Sequence, residues 1–332
     1  MRRWRIISPM GRGSGAYIVH RTMEGHLQDY QVMDYHPYWT LFPFLLPIAV
    51  PMKGAKLIHT TPDHAIFFSK TKIPLILTFH GYVIDGGLSP YYPWYKTIYH
   101  KTFLRFYSML SVQKANAITA VSRFTAQLVK KDLMISRPIQ VIYNGVDANR
   151  FTPANSPITL DKKVRIFYSG NLTLSKGAFM LPEIAKKLTA NTCIYYTQGL
   201  RTRIKLPSSP FLKCVGPVPF EEMPKWYQGM DILLMPTIRE GFSLSVLEAM
   251  ACGLPVIASN CSSLLEQIDE DKGGCLCSVG DVNDFAEKIN TLADSPNLRR
   301  EMGEYNRAKV EKMFTLERMV NEYRDLFEEV LG

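Results

Sequence analysis

Glu240 and Glu248 stand with seven residues between them, and from Gly241 to Ser259 the only charged side chain is Glu248. An apolar run of this kind suits a buried helix, and an unpaired carboxylate on such a helix is costly to desolvate. Glu248 therefore needs a partner, and a ligand with hydroxyl or ammonium groups would supply one. The competing reading pairs Glu248 with a lysine or arginine and leaves Glu240 as a solvated loop charge. The two acids flank a turn, Gly241-Phe242-Ser243, between the apolar run Asp231–Pro236 and a helix expected over Ser243–Cys252. Gly241 permits close backbone approach. The N–H groups of Phe242, Ser243 and Leu244 would open the helix without intrahelical partners, a place suited to phosphate oxygens. Leu244, Leu247, Glu248 and Ala251 fall on one face of that helix, so Glu248 is expected on the inward stripe, able to accept two hydroxyls of a ribose.

Three further groups could join such chemistry. Lys176 lies in Ser169–Gly177, SGNLTLSKG, a glycine-containing turn after a strand, where a flexible cation can neutralise phosphate. Gly11-Arg12-Gly13-Ser14-Gly15 is a permissive turn at the first strand–helix junction but matches neither GxxxxGK[ST] nor GxGxxG. His80 ends the run Ile73–Phe79 and is followed by Gly81, so it is expected at the carboxyl edge of a sheet. Asp269-Glu270-Asp271 sits in a polar turn and reads as a solvated turn, not a metal site.

The elements that must position these residues alternate along the chain. Strands are expected over Arg3–Ser8, Lys56–His59, Ile73–Phe79, Ala117–Val121 and Ile139–Tyr143, with helices from Ala16, over Tyr95–Ser111 and from Ser122 to Lys131. After the aperiodic stretch Asn149–Lys163 the pattern restarts. Strands are expected over Val164–Ser169, Cys193–Thr197, Phe211–Val215, Asp231–Pro236 and Pro255–Ala258, and the chain ends in amphipathic helices. Short apolar strands alternating with helices predict an α/β fold with parallel sheets covered on both faces. The expected domains are 1–150, a linker 151–163, a second domain 164–314, and a last helix over 315–332 crossing back to the first.

Composition bounds the function. The 332 residues are 46% hydrophobic and 21% charged, an ordinary globular balance with room for two domains. The longest apolar run, Leu41–Met52, is short and proline-broken, and the basic N-terminus lacks the apolar core of a signal peptide. The six cysteines form no CxxC pair and have no zinc spacing with histidine, which suits reduced thiols in the cytoplasm. Residues 1–150 carry 18 Lys+Arg against 7 Asp+Glu, and residues 151–332 carry 21 against 23. The basic first half seeks an anionic surface, nucleic acid or a lipid leaflet, and no RNA or DNA motif is present. Tyr91–Lys114 places Trp94, Lys96, Lys101 and Arg105 among tyrosines and phenylalanines with no acid, and Tyr35–Met52 has a similar aromatic character. Such segments suit a membrane interface; the competing reading is ordinary core with a positive rim.

Glu240–Pro255, EGFSLSVLEAMACGLP, together with SGNLTLSKG, VIYNGVD at 141–147, TAVS at 119–122, LTFHG at 77–81 and CSVGDVNDFAEKI at 277–289, resembles the retaining glycosyltransferases of family 4, which carry an E-x7-E motif and the GT-B fold. The resemblance implies two Rossmann-like doubly wound domains facing a cleft, the first binding the acceptor and the second a nucleotide-sugar. It implies that Glu248 holds the ribose, that Glu240 contacts the sugar, and that Lys176 with the N–H groups after Gly241 holds the diphosphate. It also implies that His80 approaches the sugar and that the Gly13–Gly15 loop lies near the phosphates. Retention, independence of metals and of any cofactor beyond the co-substrate, and a hexosyltransferase role in cell-surface polysaccharide or glycolipid synthesis follow from the same resemblance. The acceptor would be a lipid-linked sugar or glycan, used by a cytoplasmic protein lying peripherally on the inner face of the membrane, with no nucleic-acid partner. Family members often carry arginine where this chain has Asn171; Arg201, Arg203 or Arg239 would have to compensate. The alternatives are a sugar-nucleotide epimerase of the same fold, for which Asp29, Asp34, Asp63 and Asp85 offer little patterned support, and a non-catalytic nucleotide- or nucleic-acid-binding protein.

Overall fold

The computed structural model of the chain describes residues 5–69, 72–154, 163–199, 202 and 204–332. It divides into two compact units, Met1–Asn144 with Glu317–Gly332, and Gly145–Leu316. Residues 155–162, most of the expected linker, and the two candidate arginines Arg201 and Arg203 lie outside the described residues.

The first unit contains six strands: Ile6–Gly11 (β1), Tyr30–Tyr35 (β2), Leu57–Thr60 (β3), Leu75–Phe79 (β4), Ala117–Ala120 (β5) and Gln140–Val141 (β6). They form one sheet in the order β2-β1-β3-β4-β5-β6, every pairing parallel. β3 and β4 are buried along their whole length, as strands covered on both faces must be. Ser14 caps the helix Gly15–Glu24 and Ser122 caps Arg123–Asp132, each side chain accepting a hydrogen bond from the third backbone N–H beyond it. The sequence pattern misses β2, whose alternation of Tyr30 and Val32 inward with Gln31 outward is diluted by Asp34. The helix expected over Tyr95–Ser111 runs from Trp94 to Lys114 and is interrupted by a π-turn at His100–Leu104. The last helix, Leu316–Leu331, places Tyr323 and Phe327 against this sheet, with the Phe327 ring 5.9 Å from Tyr30 and 5.2 Å from His59.

The second unit repeats the plan with Val164–Tyr168 (β7), Thr192–Thr197 (β8), Leu212–Gly216 (β9), Ile232–Met235 (β10), Val256–Ser259 (β11) and Gly274–Cys277 (β12). Its order is β12-β11-β10-β7-β8-β9, again all parallel. The chain leaves β7 toward β8 on one side, while β10 flanks β7 on the other. The carboxyl ends of β7 and β10 therefore mark a topological switch point, where open α/β sheets bind ligands. β12 is a second strand the pattern misses, too short and too rich in glycine and cysteine to register. Phe151 is buried against Tyr227 and Phe220, so the chain entering the expected linker is bound to this unit. No helix among the described residues is long and apolar enough to cross a membrane.

Candidate active site

Lys176 follows β7 and Glu240 follows β10, and the two meet in an ion pair at the switch point. The backbone dictates this meeting. Gly177 has φ +69°, and a Cβ added to it would lie 1.8 Å from the Pro236 carbonyl oxygen, so only glycine lets the two turns touch. The contact is held by the Ile238 N–H and the Thr237 hydroxyl, each donating to the Ser175 carbonyl at 3.0 Å. Glu240 is only 8% exposed. Its N–H donates to Ser262 Oγ at 2.9 Å and its carbonyl accepts from Ser263 Oγ at 3.3 Å. Glu240 is thus a fixed, paired acid and not a solvated loop charge.

Ser243 caps the helix Leu244–Ala251. Its N–H, expected to be available for phosphate, is already taken: it donates to Gln267 Oε1 at 2.9 Å, while Gln267 Nε2 donates to the Ser243 carbonyl at 2.8 Å. The fully buried Gln267 therefore clamps the turn from beneath. The Phe242 ring also turns inward, 5.4 Å from Phe314. Gly241 leads into this turn, and Leu244, the first helical residue, is half-buried.

Glu248 lies at the margin of the buried face and not within it: Leu247 and Ala251 are fully buried, whereas Leu244 and Glu248 are half-buried. The helix is apolar on nearly all sides, so its buried arc is wider than a single stripe and the glutamate falls at its edge. The Tyr227 hydroxyl donates to Glu248 Oε2 at 2.8 Å. Among the described residues Glu248 makes no ion pair. Burial pushes its carboxyl up to about 7, against the pull of the Tyr227 hydrogen bond and the charge of Arg150. The Arg150 guanidinium is held aside, 4.2 Å over the Phe220 ring and donating to the Phe220 carbonyl at 3.1 Å. Tyr227, Arg150 and Gln267 were not singled out from the sequence; each acts through a contact across the fold that no local pattern announces.

Asn171 opens the turn after β7, its carbonyl accepting from the Tyr168 hydroxyl at 3.0 Å and the Thr173 N–H at 2.9 Å. Its side chain lies against Gly199, where a Cβ would fall 2.3 Å from Oδ1. Arg239, one residue before Glu240, is half-buried.

In the first unit Gly13 takes φ +75°, Ser14 accepts from the Tyr17 N–H at 3.0 Å, and Gly15 begins the helix with nothing within 4 Å of where its Cβ would stand. His80 follows β4, with its Nε2 3.0 Å from His20 Nε2, and burial pushes its imidazole down to about 3. Trp94 is 76% exposed, Lys101 is exposed, and Lys96 stacks 4.4 Å from the centre of the Tyr92 ring. Arg105 is half-buried: its Nη2 donates to the Asp132 carbonyl at 2.6 Å and its Nε lies 3.3 Å from the Asp132 carboxylate, tying it to the neighbouring helix. Asp269 likewise is not simply solvated, being paired with Lys309 at 3.0 Å and hydrogen-bonded by Tyr305.

Comparison with known proteins agrees with this architecture. Residues 6–150 match the Glycosyltransferase Family 4 model, and residues 154–309 match Glycosyl transferases group 1. An uncharacterized glycosyltransferase of Methanocaldococcus jannaschii is 27% identical over 296 residues, 85% of this chain and 77% of that protein. The D-inositol 3-phosphate glycosyltransferase of Corynebacterium jeikeium is 33% identical over 58% of this chain, and the chain spans about half (52%) of that relative's length. Among solved structures, Anabaena HepE in complex with UDP-glucose superposes with a TM-score of 0.81 at 16% identity, covering 98% of this chain and 99% of that one. With two doubly wound units of this kind and a glycosyltransferase family model matching each, the chain is a glycosyltransferase with the GT-B fold.

Proposed function

We propose that this glycosyltransferase transfers a hexose, with retention and without a metal, from a nucleotide-sugar to a lipid-linked or glycan acceptor in cell-surface polysaccharide or glycolipid synthesis. The observation that carries the reading is Glu248: a desolvated carboxyl at the ligand edge of its sheet, oriented by a phenol and bound to no cation among the described residues. Paired hydroxyls of a ribose answer that need. Lys176 and Glu240 form the second half of the donor site. Lys176 exchanges its carboxylate partner for the diphosphate, and Glu240, released, accepts hydroxyls of the sugar. The cation of Lys176 and the N-terminus of the helix Leu244–Ala251 stabilise the charge that develops on the departing diphosphate, the part a metal plays elsewhere. Asn171 lends no charge there, and the Gly13–Gly15 turn and His80 are the first unit's contribution to substrate binding. That HepE, a protein of the same fold, is solved with UDP-glucose makes uridine donors the first to try.

The acceptor reading rests on the first unit's exposed aromatics. Leu41, Phe44, Ile48, Trp94, Phe103 and Phe106 are all more than half exposed, and Lys101 lies among them. Apolar side chains beside a lysine, on a unit with a large excess of base, suit the interface of an anionic leaflet on the cytoplasmic side. A thermal-shift panel of UDP-, GDP- and ADP-sugars, followed by product detection with the best binder, tests the donor reading. Stabilisation by one nucleotide series, lost in Glu248→Gln, is expected. No shift with any of them overturns it.

A further inference from the structure

The first unit encloses a chain of hydrogen-bonding side chains that the donor chemistry above leaves unused. On the last helix, the Tyr323 hydroxyl lies 3.2 Å from Thr78 Oγ1, which lies 2.7 Å from His59 Nε2. The other nitrogen of that ring, Nδ1, is 2.8 Å from the Tyr30 hydroxyl, itself 2.7 Å from His20 Nδ1. Ser8 Oγ also lies 2.7 Å from His20 Nδ1. His20 Nε2 reaches His80 Nε2 at 3.0 Å, and beyond it His80 Nδ1 is buried without a partner among the described residues. A buried polar atom in that condition has the capacity to take a hydroxyl, of a ligand or of water.

Proton bookkeeping links the two ends. Burial holds His20, His59 and His80 neutral, so each ring carries one proton, and settling one nitrogen settles the other. The Tyr30 hydroxyl has one proton to give and two ring nitrogens beside it. If Tyr30 donates to His20 Nδ1, His20 donates from Nε2 to His80, whose own proton then sits on Nδ1. If Tyr30 donates to His59, the bonds to His20 reverse and His80 Nδ1 becomes an acceptor. In both settings the character of His80 Nδ1 is dictated through His20 and Tyr30, out of reach of solvent.

We propose that His20 is a positioning residue for sugar transfer: seated by Ser8 and Tyr30, it locks the ring and tautomer of His80 so that the unpaired Nδ1 meets one hydroxyl of the bound sugar. This rests on the reading that His80 touches the donor.

Two measurements separate the proposal from that reading. In ligand-free protein carrying 15N-histidine, the neutral tautomers of His20 and His80 are populated in matching proportion in wild type, as the relay through Tyr30 requires. In Tyr30→Phe both populations shift, because the Ser8 hydroxyl alone then seats His20. The milder substitution guards against loss of the fold, and His20→Gln serves as the second variant. His80 tautomer populations unchanged from wild type in both variants overturn the positioning role, whatever the donor. The second measurement is turnover of UDP-, GDP- or ADP-glucose and of analogues lacking one sugar hydroxyl at a time. Wild type loses about tenfold for one particular hydroxyl, the worth of one hydrogen bond. Tyr30→Phe and His20→Gln lose that discrimination while keeping a near-native unfolding midpoint. If His80→Ala turns over every donor as wild type does, the site reading fails. If His80→Ala is impaired but Tyr30→Phe and His20→Gln discriminate normally, the positioning proposal alone fails.

Discussion

Lys176 and Glu240, 64 positions apart in the chain, neutralise each other across the switch point of the second sheet. In the proposed donor site a diphosphate would compete for a lysine that already has a partner, so the two side chains would act as one unit. Removing the lysine leaves a buried carboxylate without its cation and facing an incoming dianion, a loss on the order of 3 kcal/mol or more. Lys176→Ala is accordingly expected to lower kcat/KM by at least about a hundredfold, and Glu240→Gln in that background to restore part of the loss. Steady-state kinetics on the double-mutant cycle check this; strictly additive effects, or a near-normal Lys176→Ala enzyme, speak against a shared role.

Glu248 gives the protein a pH signature of unusual sign. An ordinary glutamate titrates near 4.5, and burial holds this one up to about 7. Below the lower value both folded and unfolded chains hold the proton and the site is neutral to stability. Between the two values the unfolded chain ionises first, so stability falls as pH rises, and above the upper value the full penalty persists. Glu248→Gln is expected to be more stable than wild type by on the order of 2 kcal/mol near pH 8 and no different near pH 4. Donor affinity runs the other way, rising through neutrality as the carboxylate forms, and the glutamine variant loses that rise. Thermal unfolding and calorimetric titration across pH decide both.

The clamp on Ser243 is testable without any substrate. Gln267→Ala strips the buried Ser243 N–H of its partner and leaves the Ser243 carbonyl with the Leu247 N–H alone, at 3.3 Å, at an expected cost of about 1–3 kcal/mol in urea unfolding. Gln267→Glu keeps the acceptor but puts a carboxylate without a cation in the same buried place, and at neutral pH is expected to cost at least as much.

The exposed aromatics predict a separable loss. Trp94→Ala with Phe103→Ala removes apolar surface that is mostly exposed, so vesicle binding falls several-fold while the unfolding midpoint changes little. Arg105→Ala does the reverse, because its guanidinium ties down Asp132. Co-sedimentation with vesicles of graded anionic lipid content distinguishes them; binding indifferent to that content removes the electrostatic part of the argument.

The α/β alternation was legible because β10 is a continuous apolar run, and β4 and β7 are runs broken only by Thr78 and by Arg165, which solvated faces could not produce. β2 and β12 escaped because both are edge strands, one carrying Gln31 and Asp34 and the other only four residues long. Glu240, Glu248 and Lys176 could be singled out by charge and place. Their partners could not: Tyr227 reaches Glu248 from 21 positions away and Gln267 reaches Ser243 from 24, distances that only the packed sheet defines. Arg105 is similar: its tie to Asp132, 27 positions away, is defined only by the packed helices.

Gly177 has a last implication. With no space for even a methyl group beside the Pro236 carbonyl, the lysine-bearing and glutamate-bearing turns are riveted main chain to main chain. Neither can swing over the donor independently. On the proposed donor reading, Lys176 would meet the nucleotide by rotation about its four side-chain bonds, and a freeze on that swivel would arrest the catalytic cycle even with every contact of the resting protein intact.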